Sequence, residues 1–206
     1  MDIIRELTKD MNTFSENLEA FLLGLGFMAP LFSSFFIVIE GVLAFLPLIV
    51  FVTINFMTMG PIIGGVVSWA CTVFGSYLSF LLFRKGFSKL FQKKIQNKKR
   101  ATKFMKLIDH LKFKQLVLII GIPFAPSFFI NMGAGLSHIS QKKYLYALLM
   151  GKVLVIAFCG YLGINLIECF TNPYALIKVV VMLVVAYIVA SVVNKKFDLD
   201  ERFDDK

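Results

Sequence analysis

Long apolar stretches punctuated by a few prolines and glycines make up most of this chain. Between residues 20 and 83 the only charged side chain is Glu40, and no polar loop divides the stretch. A helix of about 20 apolar residues crosses a bilayer, and proline and glycine mark the places where such a helix ends. The pattern predicts a first span over residues 20–39, a short broken hairpin over 40–59 and a second span over 61–83.

A second broken element is predicted between residues 115 and 141, which contain no acidic side chain and no lysine or arginine. Pro123, Pro126, Gly133 and Gly135 make this stretch a poor straight helix, because proline removes a backbone donor and glycine costs about 1 kcal/mol in a helix interior. Spacing alone fits a kinked span equally well. The lysines on both sides favour a re-entrant hairpin over residues 115–137.

The remaining pattern completes an all-α integral membrane fold. A third span is predicted over residues 144–167 and a fourth over 174–193. Residues 1–19 have the spacing of an amphipathic surface helix, with a solvated tail as the alternative, and residues 195–206 form a charged tail. Four transmembrane helices and two opposed re-entrant hairpins form an inverted repeat within a single membrane domain, residues 20–194, as in transporters with substrate sites near the midplane.

Composition and charge fix the environment and the orientation. The chain is 58% hydrophobic with a mean hydropathy of +0.77, well above a soluble domain. The net charge of +9 is concentrated in residues 84–114, which the positive-inside rule places in the cytoplasm together with both termini. This composition, rich in lysine, phenylalanine and isoleucine, is typical of bacteria with AT-rich DNA, and we expect the plasma membrane as the location.

The basic loop predicts contacts with membrane lipids, not with nucleic acid. Its cations alternate with apolar residues, as in segments that contact anionic lipids, although setting the topology would also explain the charge. It carries no stacking platform for bases. The candidate lipid contacts are Lys93, Lys94, Lys98, Lys99, Arg100 and Lys103.

Four polar side chains within the apolar segments are candidates for a substrate path. Glu40 is the strongest, because a carboxylate in hydrocarbon is costly and usually faces a cavity or a partner; the alternative places it at the outer interface. Lys152 is a candidate ion-pair partner or a lysine that snorkels to the surface. Asn131 and Asn55 could hold a headgroup or satisfy backbone groups freed around Pro47, Pro123 and Pro126.

Enzyme, metal and cofactor functions find no support in the sequence. It has no HExxH or GxSxG motif, and both histidines lie outside the apolar segments. It also lacks an acidic cluster that could hold a metal for phosphoryl transfer. We therefore expect no enzymatic activity and no cofactor, while a homo-oligomer is compatible with the sequence.

Several motifs resemble one known family. The second hairpin carries Ile122-Pro123-Phe124-Ala125-Pro126, then Asn131, Ala134-Gly135-Leu136 and Ile139. This pattern resembles the DedA superfamily, the SNARE-associated or VTT-domain group, and within it the Tvp38-like branch. The resemblance covers about residues 25–165. Its upstream part is weaker and consists of Glu40, Pro47, Gly60, Gly64 and Gly65, while Gly151 and Tyr161-Leu162-Gly163 resemble the family's next helix.

The resemblance implies a protein that moves lipids across bilayers, as a flippase or scramblase for phospholipids or polyprenyl-phosphate carriers. This chain departs from the family pattern at Ile120 and Pro126, where many members carry arginine, and it has no second acid after Glu40. These departures favour a zwitterionic phospholipid such as phosphatidylethanolamine. A proton- or ion-coupled small-molecule transporter and a membrane scaffold remain as alternatives.

Overall fold

The computed structural model describes most of the apolar part of the chain. It covers residues 24, 26, 28–43, 46–86, 105, 108–123 and 127–171, and within the last range it describes side chains up to residue 165. Six further positions between 180 and 191 are also described. The predicted surface helix at 1–19, most of the basic loop with its six candidate lipid contacts, Pro126, most of the fourth span and the charged tail lie outside these residues.

The described residues form helices and turns, with no strand among them. Two helices, Leu48–Gly86 and Gln141–Asn165, are long and apolar enough to cross a membrane. This agrees with the predicted all-α membrane fold, while the number of spans and the depth of the hairpins remain predictions. The helices are α1 (Met28–Leu43), α2 (Leu48–Leu81, continued by a π-helical turn at Leu82–Gly86), α3 (Phe113–Gly121), α4 (Ser127–Leu136) and α5 (Gln141–Thr171).

Helix α2 contains a chain reversal at Gly60. This residue has φ 79° and ψ 164°, a conformation that essentially only glycine adopts. Beyond it Gly64 lies directly against the backbone carbonyl of Asn55, which a straight helix would place more than two turns away. Residues 48–59 and 61–81 are therefore two antiparallel arms, which we call the first and second arms of α2.

The first helical hairpin differs in its bounds from the sequence prediction. Helix α1 continues through Glu40 and Gly41 to Leu43, and the chain turns at Leu46 and Pro47 before the first arm of α2. Residues 28–39, predicted as part of the first span, lie in α1 on one side of this turn. Glycine does not end the helix at position 41, because the missing side chain there lets α1 pack closely against the second arm of α2.

The second hairpin consists of α3 and α4, and its two ends meet. The backbone N–H of His138, just after α4, donates to Asp109 Oδ1 at 2.6 Å, and Asp109 precedes α3. Between them the chain turns at Ile122 and Pro123. Helices of nine and ten residues reach about 15 Å, roughly half of a 30 Å hydrocarbon core. The two helices thus form a hairpin over these residues, and its re-entry into the membrane stays a prediction.

Two apolar clusters hold the helices together. One joins α2, α3, α4 and α5 and is the larger; the other joins α1, the first arm of α2 and α5. Fully buried members of the first cluster include Phe80, Leu116, Ala134, Tyr144 and Leu148. The rings of Phe80 and Tyr144 stack with centroids 4.5 Å apart, so α5 is fixed against the second arm of α2.

We expect Gly75→Val to destabilise the protein, because even a Cβ atom at this position would lie 2.5 Å from the carbonyl oxygen of Val38. Overpacking of this kind costs about 1–3 kcal/mol. The measurement is the melting temperature in detergent. The control is Gly86→Val, since a Cβ atom at Gly86 meets nothing within 4 Å. Equal melting temperatures for the two variants would contradict the packing described for α1.

Candidate functional site

The crossing of α1 and the second arm of α2 brings the two hairpins together around Glu40. A Cβ atom on Gly41 would lie 2.8 Å from the carbonyl carbon of Gly75 and 2.9 Å from the backbone nitrogen of Ser76. The helix backbones are therefore in direct contact, as small residues permit in membrane bundles. From the second hairpin, Asn131 Nδ2 donates to the carbonyl oxygen of Gly41 at 3.2 Å.

Glu40 lies buried at this crossing without a hydrogen-bond donor. The residue is 7% exposed, and its Oε2 atom is enclosed without a partner. The hydroxyl oxygen of Ser76, on the facing helix, is also buried and unpaired. Buried polar atoms are usually satisfied, so each of these two unsatisfied atoms calls for an explanation such as a ligand or a water molecule.

Lys152 is the basic residue of this site, opposite in type to the acid Glu40. It is 1% exposed, so its ammonium group does not reach the surface. Its Nζ atom donates to the hydroxyl oxygen of Ser127 at 3.1 Å. The charges of Glu40 and Lys152 act on each other electrostatically, yet the two side chains form no ion pair within 4 Å among the described contacts. The site thus contains a buried acidic side chain and a buried basic side chain that are not paired with each other.

Asn131 uses both ends of its amide group for protein contacts. The hydroxyl of Tyr144 donates to its Oδ1 atom at 2.6 Å, while its Nδ2 atom donates to Gly41 as described. The residue is 1% exposed. Asn131 therefore connects α4 to both α1 and α5, and it satisfies a backbone carbonyl next to Glu40.

Asn55 belongs to a separate polar cluster. It accepts a hydrogen bond from the hydroxyl of Ser33, and its Nδ2 atom lies 3.0 Å from Ser68 Oγ and 3.4 Å from Ser34 Oγ. These contacts tie α1 to both arms of α2, about two turns of α1 away from Glu40. The structure brings Asn131 to the backbone next to Glu40, and Lys152 acts on Glu40 electrostatically, while Asn55 lies outside that group.

Arg84 is the important residue that sequence reasoning missed. Its side chain covers the ring of Phe80, with 4.8 Å between the guanidinium carbon and the ring centroid. In the sequence, the available signal is its place: Arg84 ends a long apolar stretch and begins the basic loop. At 2.8 to 2.9 Å its guanidinium donates to four backbone carbonyl oxygens at the end of α4, those of Ala134, Gly135, Ser137 and Ile139.

These four bonds explain how α4 ends inside the bundle. The last carbonyls of a helix have no partner within it, and an arginine presents a planar fork of donors that can satisfy several of them. Gly133 and Gly135 are buried in the same helix, and Gly135 packs against the carbonyl oxygen of Phe80. At the other hairpin, Pro47 precedes the first residue of α2, where its missing N–H leaves no bond unmade.

An apolar groove of about 590 Å³ lies between α2 and α5, near the Gly60 reversal. Trp69 in its wall donates its indole N–H to the carbonyl oxygen of Leu149 at 2.9 Å, so this polar atom is occupied. Exposed apolar side chains such as Ile62 and Val66 form the rim. Further lining residues are Phe56, Pro61, Ile156, Ala157 and Tyr161.

Metal binding has no candidate site in the described ranges, where no three histidine, cysteine, aspartate or glutamate side chains come together. A pair formed by His138 and Asp109 lies at the base of the second hairpin. There His138 Nδ1 lies 3.3 Å from Asp109 Oδ2, with the histidine almost fully exposed. This pair lies at the surface, away from the buried charges.

Comparison with known proteins gives two matches. A family model described as the VTT domain matches residues 18–165, a range that contains Glu40, Asn131 and Lys152. The chain is also 31% identical over 166 residues to the uncharacterized membrane protein YhjE of Bacillus subtilis (strain 168), an alignment that covers 81% of this chain and 80% of that protein. No solved structure matches the chain.

We expect Arg84→Met to loosen the end of α4, because four backbone carbonyls would lose the guanidinium donors in an apolar setting. The carbonyl of Ala134 keeps the hydroxyl of Ser137 as a donor. Hydrogen–deuterium exchange of peptides covering residues 127–139 should accelerate by at least about tenfold, since each lost bond is worth about 1 kcal/mol or more. The control is Lys85→Met, which removes the neighbouring exposed cation. Unchanged exchange in Arg84→Met would contradict this role.

Proposed function

Because the chain belongs to the VTT-domain family of membrane proteins, we propose that it moves lipids between the two leaflets as a flippase or scramblase. The proposed substrate is a phospholipid such as phosphatidylethanolamine. We place it in the cell membrane as a multi-pass protein of four spans with both termini in the cytoplasm, in line with the cations of residues 84–114.

One observation carries the proposal: the enclosed Oε2 atom of the Glu40 carboxylate has no hydrogen-bond partner among the described residues, next to the contact between the two helical hairpins. An acid that is retained in an apolar bundle without a protein partner is a functional candidate by default. A primary ammonium group, which has three hydrogen-bond donors, is the complementary ligand. The headgroup of phosphatidylethanolamine carries such a group.

The hairpins supply the path for the headgroup. Helices α3 and α4 are each about half as long as a full span, so their turn would lie near the middle of the bilayer. Polar groups gathered there lower the barrier to a headgroup, because hydrocarbon offers no hydrogen bonds. The apolar groove between α2 and α5 suits an acyl chain, which stays in contact with lipid as the headgroup crosses.

A proton- or ion-coupled transporter of small molecules is the second candidate, and the same carboxylate favours it. An enclosed acid without a partner can carry a proton or face a cation. This function predicts uptake that responds to the membrane potential and is lost in Glu40→Gln. The scaffold alternative predicts instead that Glu40→Gln is harmless and that neutralising the lysines of the basic loop abolishes function.

We expect Glu40→Gln to lower the rate of phosphatidylethanolamine movement by at least about tenfold, because a hydrogen bond to a charged group is worth about 1.5–3 kcal/mol. The measurement uses liposomes containing the full chain and phospholipids with fluorescent acyl chains, quenched from outside by an impermeant reductant. The control is Thr58→Val, which removes a hydroxyl bonded within its own helix. If the wild type moves no phospholipid faster than empty liposomes, the proposed function is wrong.

The groove makes a separate prediction. Ala157→Trp places a large side chain among the lining residues, so we expect slower movement of diacyl phospholipids, by several-fold, without a change in the preferred headgroup. Met150→Trp is the matched control, because Met150 is exposed on the same helix and does not line the groove. Equal rates in the two variants would show that acyl chains do not use this groove.

A further inference from the structure

The environment of Lys152 is incomplete. An ammonium group has three N–H donors, and the described contacts account for one of them, the bond to Ser127. The remaining donors are enclosed, since the residue is 1% exposed. A buried charge is strongly disfavoured unless it is paired and hydrogen-bonded. The acid that acts on it, Glu40, forms no ion pair with it within 4 Å among the described side chains.

Ser127 adds a second favourable element for an anion. It is the first residue of α4, a helix of ten residues, and the first turn of a helix presents backbone N–H groups without partners inside the helix. That end also carries the positive end of the helix dipole, which makes it suited to phosphate. The serine is half-buried, so the start of α4 lies closer to the surface than the enclosed ammonium group of Lys152.

We propose that Lys152, Ser127 and the first turn of α4 form a phosphate-binding subsite. Glu40 acts on Lys152 electrostatically, so the two subsites together match a zwitterion, with the phosphate at Lys152 and the ammonium group at the carboxylate. This inference deepens the proposed lipid transport and, as far as it concerns a lipid headgroup, rests on it.

The subsite also determines selectivity between headgroups. Glu40→Gln leaves a site with one positive charge, which favours an anionic headgroup such as phosphatidylglycerol over phosphatidylethanolamine. Lys152→Met leaves one negative charge and removes the partner of every phosphate. A residue that acted only in folding would not reverse the preference between two headgroups, so the preference separates recognition from structure.

Binding is tested without transport. The purified full chain in detergent is titrated with inorganic phosphate, dihexanoyl phosphatidylethanolamine, dihexanoyl phosphatidylglycerol and a short-chain glucosyl diacylglycerol that lacks phosphate. The readout is the rise in melting temperature, which increases with ligand concentration for a ligand that binds the folded state. Lys152→Met is compared with Lys142→Met, the same change at an exposed position of the same helix.

We expect Lys152→Met to weaken binding of both phospholipids by about tenfold or more and Lys142→Met to leave it unchanged. Stabilisation by the phospholipids alone assigns the subsite to a headgroup, and equal stabilisation by inorganic phosphate assigns it to the free ion. Equal affinity of Lys152→Met and wild type for every phosphate compound would overturn the subsite. The subsite would also be overturned if Lys152→Met lost as much affinity for the glucosyl lipid, which has no phosphate, as for the phospholipids.

If Lys152→Met does not fold, Ser127→Ala takes its place, since it keeps the charge and removes only the hydroxyl. We expect a several-fold loss of phospholipid affinity, and unchanged affinity would overturn the proposal. The outcomes remain distinct from those of the transport assay. Lipid movement without dependence on Lys152 would refute the subsite alone, while binding that depends on Lys152 without lipid movement would refute the proposed function.

Discussion

The bonds from Arg84 and Asn131 to backbone carbonyls fix the second hairpin against the rest of the bundle. The last carbonyls of a helix have no partner within it, and an apolar surrounding cannot supply one. Arg84 satisfies four of them beyond and within the last turn of α4. Asn131 adds a bond to the carbonyl of Gly41, so the second hairpin is fixed at its base and along its length.

This arrangement places charge where packing alone would exclude it. Gly41 and Gly75 let two helix backbones touch, and the neighbouring Glu40 is carried into the contact between the hairpins. Lys152 comes from a different helix and is held by the start of α4. The two charges therefore depend on separate structural supports. A ligand that binds both would connect the two hairpins, which links recognition of a headgroup to the relative position of the hairpins.

Much of the fold could be predicted from residue patterns. The apolar runs and the charge distribution indicated a helical membrane protein, and the prolines and glycines indicated a reversal at each hairpin. The motif around Pro123 and Asn131 indicated the VTT-domain family, which the comparisons confirm. The prediction was less accurate at Glu40 and Gly41, where packing against Gly75 extends the helix through a position that helix propensity would end.

The sequence by itself determined the membrane environment, the helical class and the family, because each depends on composition or on residues close together in the chain. It also identified Glu40, Lys152 and Asn131 as candidates. Only the tertiary structure decided which of them meet, since the contact between Asn131 and Gly41 joins residues 90 positions apart. It likewise assigned Arg84 to the carbonyls of α4, because a donor fork is recognisable only when its acceptors are in place.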